Sequence, residues 1–229
     1  MSSSVNLFSF LVSLSLIFTF TNGTIFEIHN QCSYTVWPAA IPGGGRQLNP
    51  GQAWILNIKP SISSGRIWGR TNCTFDSSGR GSCVTGDCNG LLQCQSYGLP
   101  PNTMAEYSLA QINQMDFFDI SLVDGFNIPM DFVPITVGLR GIRCRADITG
   151  QCPNELRTPG GCNGPCPVFN TAEYCCTGAY SLPGSCGPTK LSKFFKDNCP
   201  DAYSYPLDQD PANTFTYPNG NYYKIVFCP

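Results

Sequence analysis

Between Arg80 and Arg140 the chain carries no lysine or arginine, yet the same stretch holds Asp87, Glu106, Asp116, Asp119, Asp124 and Asp131. If the strands bearing these carboxylates lie side by side, they give one acidic face or groove. Paired carboxylates in a cleft can bind sugar hydroxyls, cations or a basic partner. They can also share the acid and base steps of glycoside hydrolysis, with carboxyls ~5–5.5 Å apart for retention or ~6.5–9.5 Å for inversion. The plainer reading is a solvated acidic surface. Phe117, Phe118 and Phe126 are interleaved with the acids. Rings among acids suit a sugar-binding groove, and they equally suit ordinary core strands.

Other reactive residue types narrow the chemistry. His29 is the only histidine, early in a strand beside Asn30, which excludes most histidine-dependent hydrolases and His-rich metal sites. Cysteines stand at 32, 73, 83, 88, 94, 144, 152, 162, 166, 175, 176, 186, 199 and 228. Zinc sites need CxxC pairs or interleaved histidines. Here the close spacings are Cys162/Cys166 and the vicinal pair Cys175-Cys176, so no metal and no cofactor is expected. An even thiol count points to disulfides in an oxidising compartment. Fourteen cysteines allow about 135,000 pairings, so connectivity does not follow from counting. Spacing suggests local bridges at Cys73–Cys83 and Cys88–Cys94, different partners for Cys175 and Cys176, and closure of the whole domain by Cys32 with Cys228.

The elements that must position these residues read as mainly β. The 229 residues are 42% hydrophobic and 12% charged, enough apolar material for a real core. With 23 Gly and 19 Pro a plain helical bundle is excluded. Residues 24–37 are rich in β-branched and aromatic types and read as a strand pair. Further strands are expected at 53–58, 65–70, 105–109, 117–122 and 222–227, with a turn or loop at Pro42–Gly45. Leu191, Phe194 and Phe195 recur at i, i+3 and i+4 within 190–196, predicting one short amphipathic helix. Segments 73–102 and 144–199 are loop regions dense in Cys and Gly. The coarse picture is a β-sandwich with two disulfide-rich loop regions inserted.

Residues 5–20 form an apolar run too short for a comfortable membrane span, followed by Thr21-Asn22-Gly23. This reads as a signal peptide over 1–23, leaving a domain at 24–229. The net charge of -2 and pI near 5.3 exclude an ordinary nucleic-acid binder, a polybasic membrane anchor and lysis of anionic membranes by bulk charge. The sequon Asn72-Cys73-Thr74 has a disulfide half at its centre, which argues for poor occupancy.

Three runs carry a resemblance: Gly79–Cys88 (GRGSCVTGDC), Phe117–Met130 (FFDISLVDGFNIPM) and Cys199–Tyr205 (CPDAYSY). With their cysteine spacing they resemble the thaumatin-like proteins, the fifth group of plant pathogenesis-related proteins, and osmotin-like members most. The resemblance covers the whole chain after the leader. It implies a sandwich core at about 24–70, 103–145 and 200–229, a loop region at about 71–102, and a disulfide-rich region at about 146–199. It implies the pairs Cys32–Cys228, Cys73–Cys83, Cys88–Cys94, Cys144–Cys199, Cys152–Cys162, Cys166–Cys175 and Cys176–Cys186. The family usually has an eighth bridge; its two positions fall at Leu139 and Tyr217 here. Its loss bears on segment 137–143, not on the fold.

The resemblance also implies an acidic cleft lined by Arg66, Glu106, Asp119, Asp124 and Asp201. The function implied is secreted plant defence with antifungal activity, by binding β-1,3-glucan of the fungal cell wall or a surface glycoprotein. A second reading is a weak endo-β-1,3-glucanase with Glu106 as acid and Asp124 as nucleophile or base. There Asp119 or Asp201 would raise the acid's pKa and Arg66 would oppose that; efficient catalysis is not expected. A third is an inhibitor of fungal or insect hydrolases. A monomer is expected, without nucleic acid and without stable membrane insertion. Vacuolar relatives tend to carry a C-terminal extension, and none follows Pro229, so the apoplast or cell wall is the expected destination.

Overall fold

The computed structural model describes residues 23–60, 62–182, 184–220 and 222–229. The signal-peptide reading therefore lies outside the described residues, apart from Gly23. Two sheets face each other. The first joins β1 (Thr24–Asn30), β4 (Ala53–Ile58), β10 (Met130–Pro134), β11 (Ile142–Cys144) and β15 (Tyr223–Phe227) in the order β11-β10-β15-β1-β4. The second joins β2 (Trp37–Ile41), β3 (Gly44–Gly45), β5 (Gly65–Arg70), β8 (Met104–Ser108), β9 (Met115–Ser121) and β14 (Phe215–Pro218) in the order β14-β9-β8-β5-β2-β3. Two short hairpins, β6 (Thr74–Phe75) with β7 (Gly81–Ser82) and β12 (Arg157–Thr158) with β13 (Gly161–Cys162), lie in the loop regions.

Strict alternation marks β1 and β4 of the first sheet. Phe26 and Ile28 of β1 point inward, as do Trp54, Leu56 and Ile58 of β4, with Ile25, Glu27 and Ile55 outward. In the second sheet Ile67, Ala105, Tyr107, Phe118 and Ile120 are the inward set. The sheets meet through aromatic rings: Phe26 lies 4.5 Å from Tyr107, and Phe118 lies 4.8 Å from Phe132 and 5.2 Å from Tyr223. Phe126 is also buried, so among the three rings interleaved with the acids only Phe117 reaches the surface. Strand β1 pairs in parallel with β15, and the Cys32–Cys228 disulfide closes the chain beside that seam.

Several elements depart from the sequence reading. At Pro42–Gly45 only Pro42 and Gly43 turn; Gly44 and Gly45 pair with Ala40 and Ala39 as an edge strand. The hairpin needs Gly43 and Gly44 at φ +140° and +84°, which a side chain would strain. Strands β10, β11 and β14 were not expected. Four of the five residues of β10 are buried, so no polar alternation marks it, and β14 is a short edge strand ending on Pro218. Short helices α1 (Ile148–Gln151), α2 (Pro165–Phe169) and α3 (Ala172–Cys175) precede the expected one, α4 (Lys190–Asn198), in which Leu191 and Phe195 are buried and Phe194 partly so. Thr189 caps it, accepting from Ser192 N at 3.1 Å while Ser192 Oγ accepts from Thr189 N at 2.8 Å.

Seven disulfides join Cys32–Cys228, Cys73–Cys83, Cys88–Cys94, Cys144–Cys199, Cys152–Cys162, Cys166–Cys175 and Cys176–Cys186. The loop after β5 is also pinned by the fully buried Arg70. Its guanidinium donates to the carbonyls of Trp37 (2.9 Å), Leu91 (2.7 Å) and Leu92 (2.8 Å), and burial lowers its pKa to about 10. Three carbonyls thus satisfy a cation that would otherwise be costly to bury. Among the described residues no helix is long and apolar enough to cross a membrane.

Candidate functional site

The six acids between Arg80 and Arg140 do not share one face. Asp87 accepts from the N–H of Cys83 (3.0 Å) and of Gly90 (2.8 Å), ordering its own loop. Asp116 is buried on the core side of β9, accepting from Ala110 N (2.8 Å) and the Tyr223 hydroxyl (2.9 Å). Asp131, also buried, holds Arg145 through a pair of hydrogen bonds and lies 3.7 Å from Arg143. The remaining three are Glu106, Asp119 and Asp124.

Strand register makes the site. In β5, β8 and β9 the cross-strand partners are Arg66↔Glu106 and Glu106↔Asp119. Directly opposed residues of antiparallel strands share a face, so the three side chains stand in one row. The row lies on the side away from Ile67, Tyr107 and Phe118. Arg66 Nε stands 2.6 Å from Glu106 Oε1, both partly buried. Beyond β9, Gly125 at φ +95° turns the chain; a Cβ there would meet Cys162 O at 2.3 Å, so glycine alone fits. That turn puts Asp124 in a cleft of about 320 Å³ whose lining includes Arg66, Glu106, Ser121 and Pro206. A second depression of about 200 Å³ is lined by Ser64, Glu106, Phe117 and Asp119. Glu106 borders both, so the two form a groove across three strands.

Asp201 is placed differently. The segment that bears it is bound to β9, with Leu122 N donating to Tyr203 O at 2.8 Å and Tyr203 N to Ile120 O at 2.9 Å. Its carboxylate is occupied by Arg140, whose Nη2 donates to both oxygens, at 2.7 and 2.9 Å. The Arg140 guanidinium also lies 5.3 Å from the centre of the Phe215 ring. The Tyr217 hydroxyl fixes the Arg140 backbone, accepting from its N–H and donating to its C=O, each at 3.1 Å. Where the resemblance implied a missing bridge at Leu139 and Tyr217, a tyrosine therefore grips the neighbouring peptide unit.

The three clustered acids all sit above the ordinary carboxylate range. Burial raises Glu106, Arg66 pulls it back and Asp124 pushes it up again. Burial raises Asp124, with Arg66 opposing. Asp119 is raised furthest, by burial and then by repulsion from Glu106, and its buried Oδ1 has no hydrogen-bond partner among the described residues. Contact with the Arg66 guanidinium favours the charged form of Glu106, and Asp119 is the member whose charge is most disfavoured. A row that sets a guanidinium beside carboxyl oxygens can both donate to and accept from sugar hydroxyls.

Two residues that contact the candidate site residues escaped the sequence reading. Arg140, which ends the cation-free stretch, neutralises Asp201. Tyr97, in the loop between Cys94 and Asn102, lies with its ring centre 4.2 Å from the Arg66 guanidinium carbon. A large aromatic residue in a Gly/Cys-rich loop, with no apolar periodicity to bury it, was the available signal.

A Thaumatin family model matches residues 30–229. A thaumatin-like protein of Actinidia deliciosa is 60% identical over 222 residues, 96% of each chain. Among solved structures, the thaumatin-like xylanase inhibitor TLXI is similar, with 27% identity, a TM-score of 0.51, and coverage of 89% of this chain and 99% of that one. A β-1,3-glucanase domain (GH64) from Clostridium beijerinckii shares the fold, at 10% identity, a TM-score of 0.54, and coverage of 90% of this chain and 98% of that one.

Proposed function

The chain belongs to the thaumatin family, and from that premise we propose that it is a secreted plant defence protein with antifungal action, binding β-1,3-glucan or another fungal surface component in the acidic groove. The observation that carries this reading is the Arg66–Glu106–Asp119 row with Asp124 beside it, in a cleft large enough for a sugar unit and furnished with donors and acceptors. Seven disulfides suit an oxidising extracellular compartment such as the apoplast. The carboxyls do not separate into one clearly raised and one clearly lowered member, as acid and nucleophile usually do. This favours binding over efficient hydrolysis.

Retention on insoluble β-1,3-glucan, run beside a reducing-sugar assay, tests the reading. Binding without release of reducing ends is expected. Glu106→Gln and Asp124→Asn should each weaken retention, while Asp76→Asn, in a turn outside the groove, should leave it unchanged. If the protein hydrolyses glucan, Glu106→Gln should lower the rate ~10²-fold or more, and the binding-only reading fails. The likeness to a xylanase inhibitor supports a second reading, inhibition of a glycoside hydrolase; loss of hydrolase activity on mixing with this protein, with no glucan retention, would favour it.

A further inference from the structure

The acids explain how sugar hydroxyls could be engaged, but a pyranose also has apolar C–H faces, and a groove of carboxylates offers nothing for them. Tyr97 is the residue placed to do so. Its ring is 4.2 Å from the guanidinium carbon of Arg66, whose Nε is in turn 2.6 Å from Glu106, so the ring stands at the end of the Arg66–Glu106–Asp119 row. The guanidinium covers one face, yet the residue remains 44% exposed. Exposure alone would not single it out, since Tyr34 and Tyr222 are equally open; its place over the Arg66 end of the carboxylate row does.

The loop that carries Tyr97 is anchored on both sides. Before it, Cys94 is bonded to Cys88, and Ser96 Oγ accepts from Asn89 Nδ2 at 3.0 Å. After it, Leu99 N donates to Asp87 O at 2.7 Å, and Asn102 Nδ2 donates to Leu99 O at 3.1 Å and Gly98 O at 3.3 Å. At Gly98 itself a Cβ would meet Trp68 Nε1 at 2.4 Å, so the loop packs against the second sheet as closely as glycine allows. A side chain held this way loses little freedom when a ligand arrives.

Resting on the glycan-binding reading above, we infer that Tyr97 is the stacking platform of the groove. One ring face is fixed by the Arg66 guanidinium and the other takes the C–H face of one pyranose at the end of the row, while further units of the same chain extend past the ring edge toward Glu106 and its neighbours. The ligand class is a neutral chain of β-linked hexose with an unsubstituted apolar face, in preference to a charged or heavily acetylated glycan.

The probe is a soluble β-1,3-gluco-oligosaccharide, titrated against the intact disulfide-bonded protein by calorimetry. Tyr97→Phe should keep the wild-type Kd within about twofold, because the ring is kept. Tyr97→Ala and Tyr97→Leu should each weaken binding about 5–10-fold, the worth of one aromatic contact. Tyr97→Leu keeps bulk and so guards against collapse of the loop, and thermal unfolding confirms that both variants fold. Tyr97→Trp separates stacking from mere support of Arg66: its emission should shift to the blue on titration relative to wild type titrated in parallel, where Trp68 is fully buried, Trp54 nearly so and Trp37 partly exposed. Loss of affinity in Tyr97→Ala with no emission change in Tyr97→Trp would overturn stacking and leave the tyrosine as a prop for Arg66. Wild-type binding with an unchanged Kd in Tyr97→Ala and Tyr97→Leu would overturn this inference alone. Failure of the wild-type protein to bind any β-1,3-glucan would overturn the glycan reading and this inference with it.

Discussion

Asp119→Asn should stabilise the protein at neutral pH. Asp119 faces Glu106 directly across β8 and β9, and its buried Oδ1 has no partner to lose among the described residues. Like charges in that cross-strand position cost up to ~1 kcal/mol. Asparagine keeps the shape and removes the charge, so the gain is limited to that repulsion and to relief from burying an anion. We expect about 1 kcal/mol, read as a rise in Tm of about 2–4 °C for a chain of this size. The sign with pH is fixed. Asp119 titrates well above the ordinary carboxylate value in the folded protein, because burial and then Glu106 oppose its charge. Its contribution to stability is therefore fully present below the unfolded value of about 4 and is lost as pH rises through the folded value. The gap between variant and wild type should be near zero at pH 3, open as pH rises, and then level off. Thermal unfolding at pH 3, 5 and 7 measures it. A lower Tm for Asp119→Asn at pH 7, or a gap independent of pH, would refute the assignment of Asp119 as the uncompensated member. Glu106→Gln is the contrast: it relieves the same repulsion but gives up the 2.6 Å contact with Arg66, so its gain should be smaller than that of Asp119→Asn.

Other expectations concern the supports of the groove. Tyr217→Phe removes both hydrogen bonds to the Arg140 backbone, at a cost of about 1 kcal/mol, and should speed amide exchange across 137–141 while leaving the far sheet unchanged. Leu139→Cys with Tyr217→Cys should close an eighth bridge; a thiol assay that still finds two free sulfhydryls after oxidative refolding would show that the two positions do not meet. Lys196 Nζ bonds Ala202 O at 2.8 Å and pairs with the buried Asp208 at 2.9 Å, so Lys196→Met should cost about 3 kcal/mol in denaturant unfolding. Burial pushes Asp208 up, but the bonds from Lys196 and Ser204 outweigh it and hold the carboxyl below its ordinary value. Its contribution is therefore present above the unfolded value and lost as pH falls through the folded one, the opposite of Asp119.

What could be read from the sequence was local, and what could not was set by register. Strands β1 and β4 were legible because their inward residues alternate with outward ones, and α4 because Leu191, Phe194 and Phe195 keep helical spacing. Strand β10 was not, since burial on both faces erases the alternation, and β14 was not, since a four-residue edge carries too short a pattern. The groove shows the same limit more sharply. A count of charges singled out six acids, but whether an aspartate on β9 faces the core or the groove depends on a single residue of phase. Asp116 and Asp119 lie three apart on one strand, and they end on opposite faces, one bonded to the Tyr223 hydroxyl inside the sandwich and the other opposed to Glu106 outside it. Family resemblance supplied Arg66 and Asp201 as positions, yet it could not show that Asp201 meets Arg140 from a loop 61 residues away, or that Tyr97 closes the row on Arg66. Tyr97 comes from a segment fixed by a disulfide and backbone bonds, and Arg140 from one gripped by the Tyr217 hydroxyl; neither place is set by apolar periodicity. In such segments the side chains that meet a ligand are also the ones with the weakest sequence signal. Loops held by cross-links need no hydrophobic pattern of their own, so their exposed aromatic and basic residues are free to be chosen for binding.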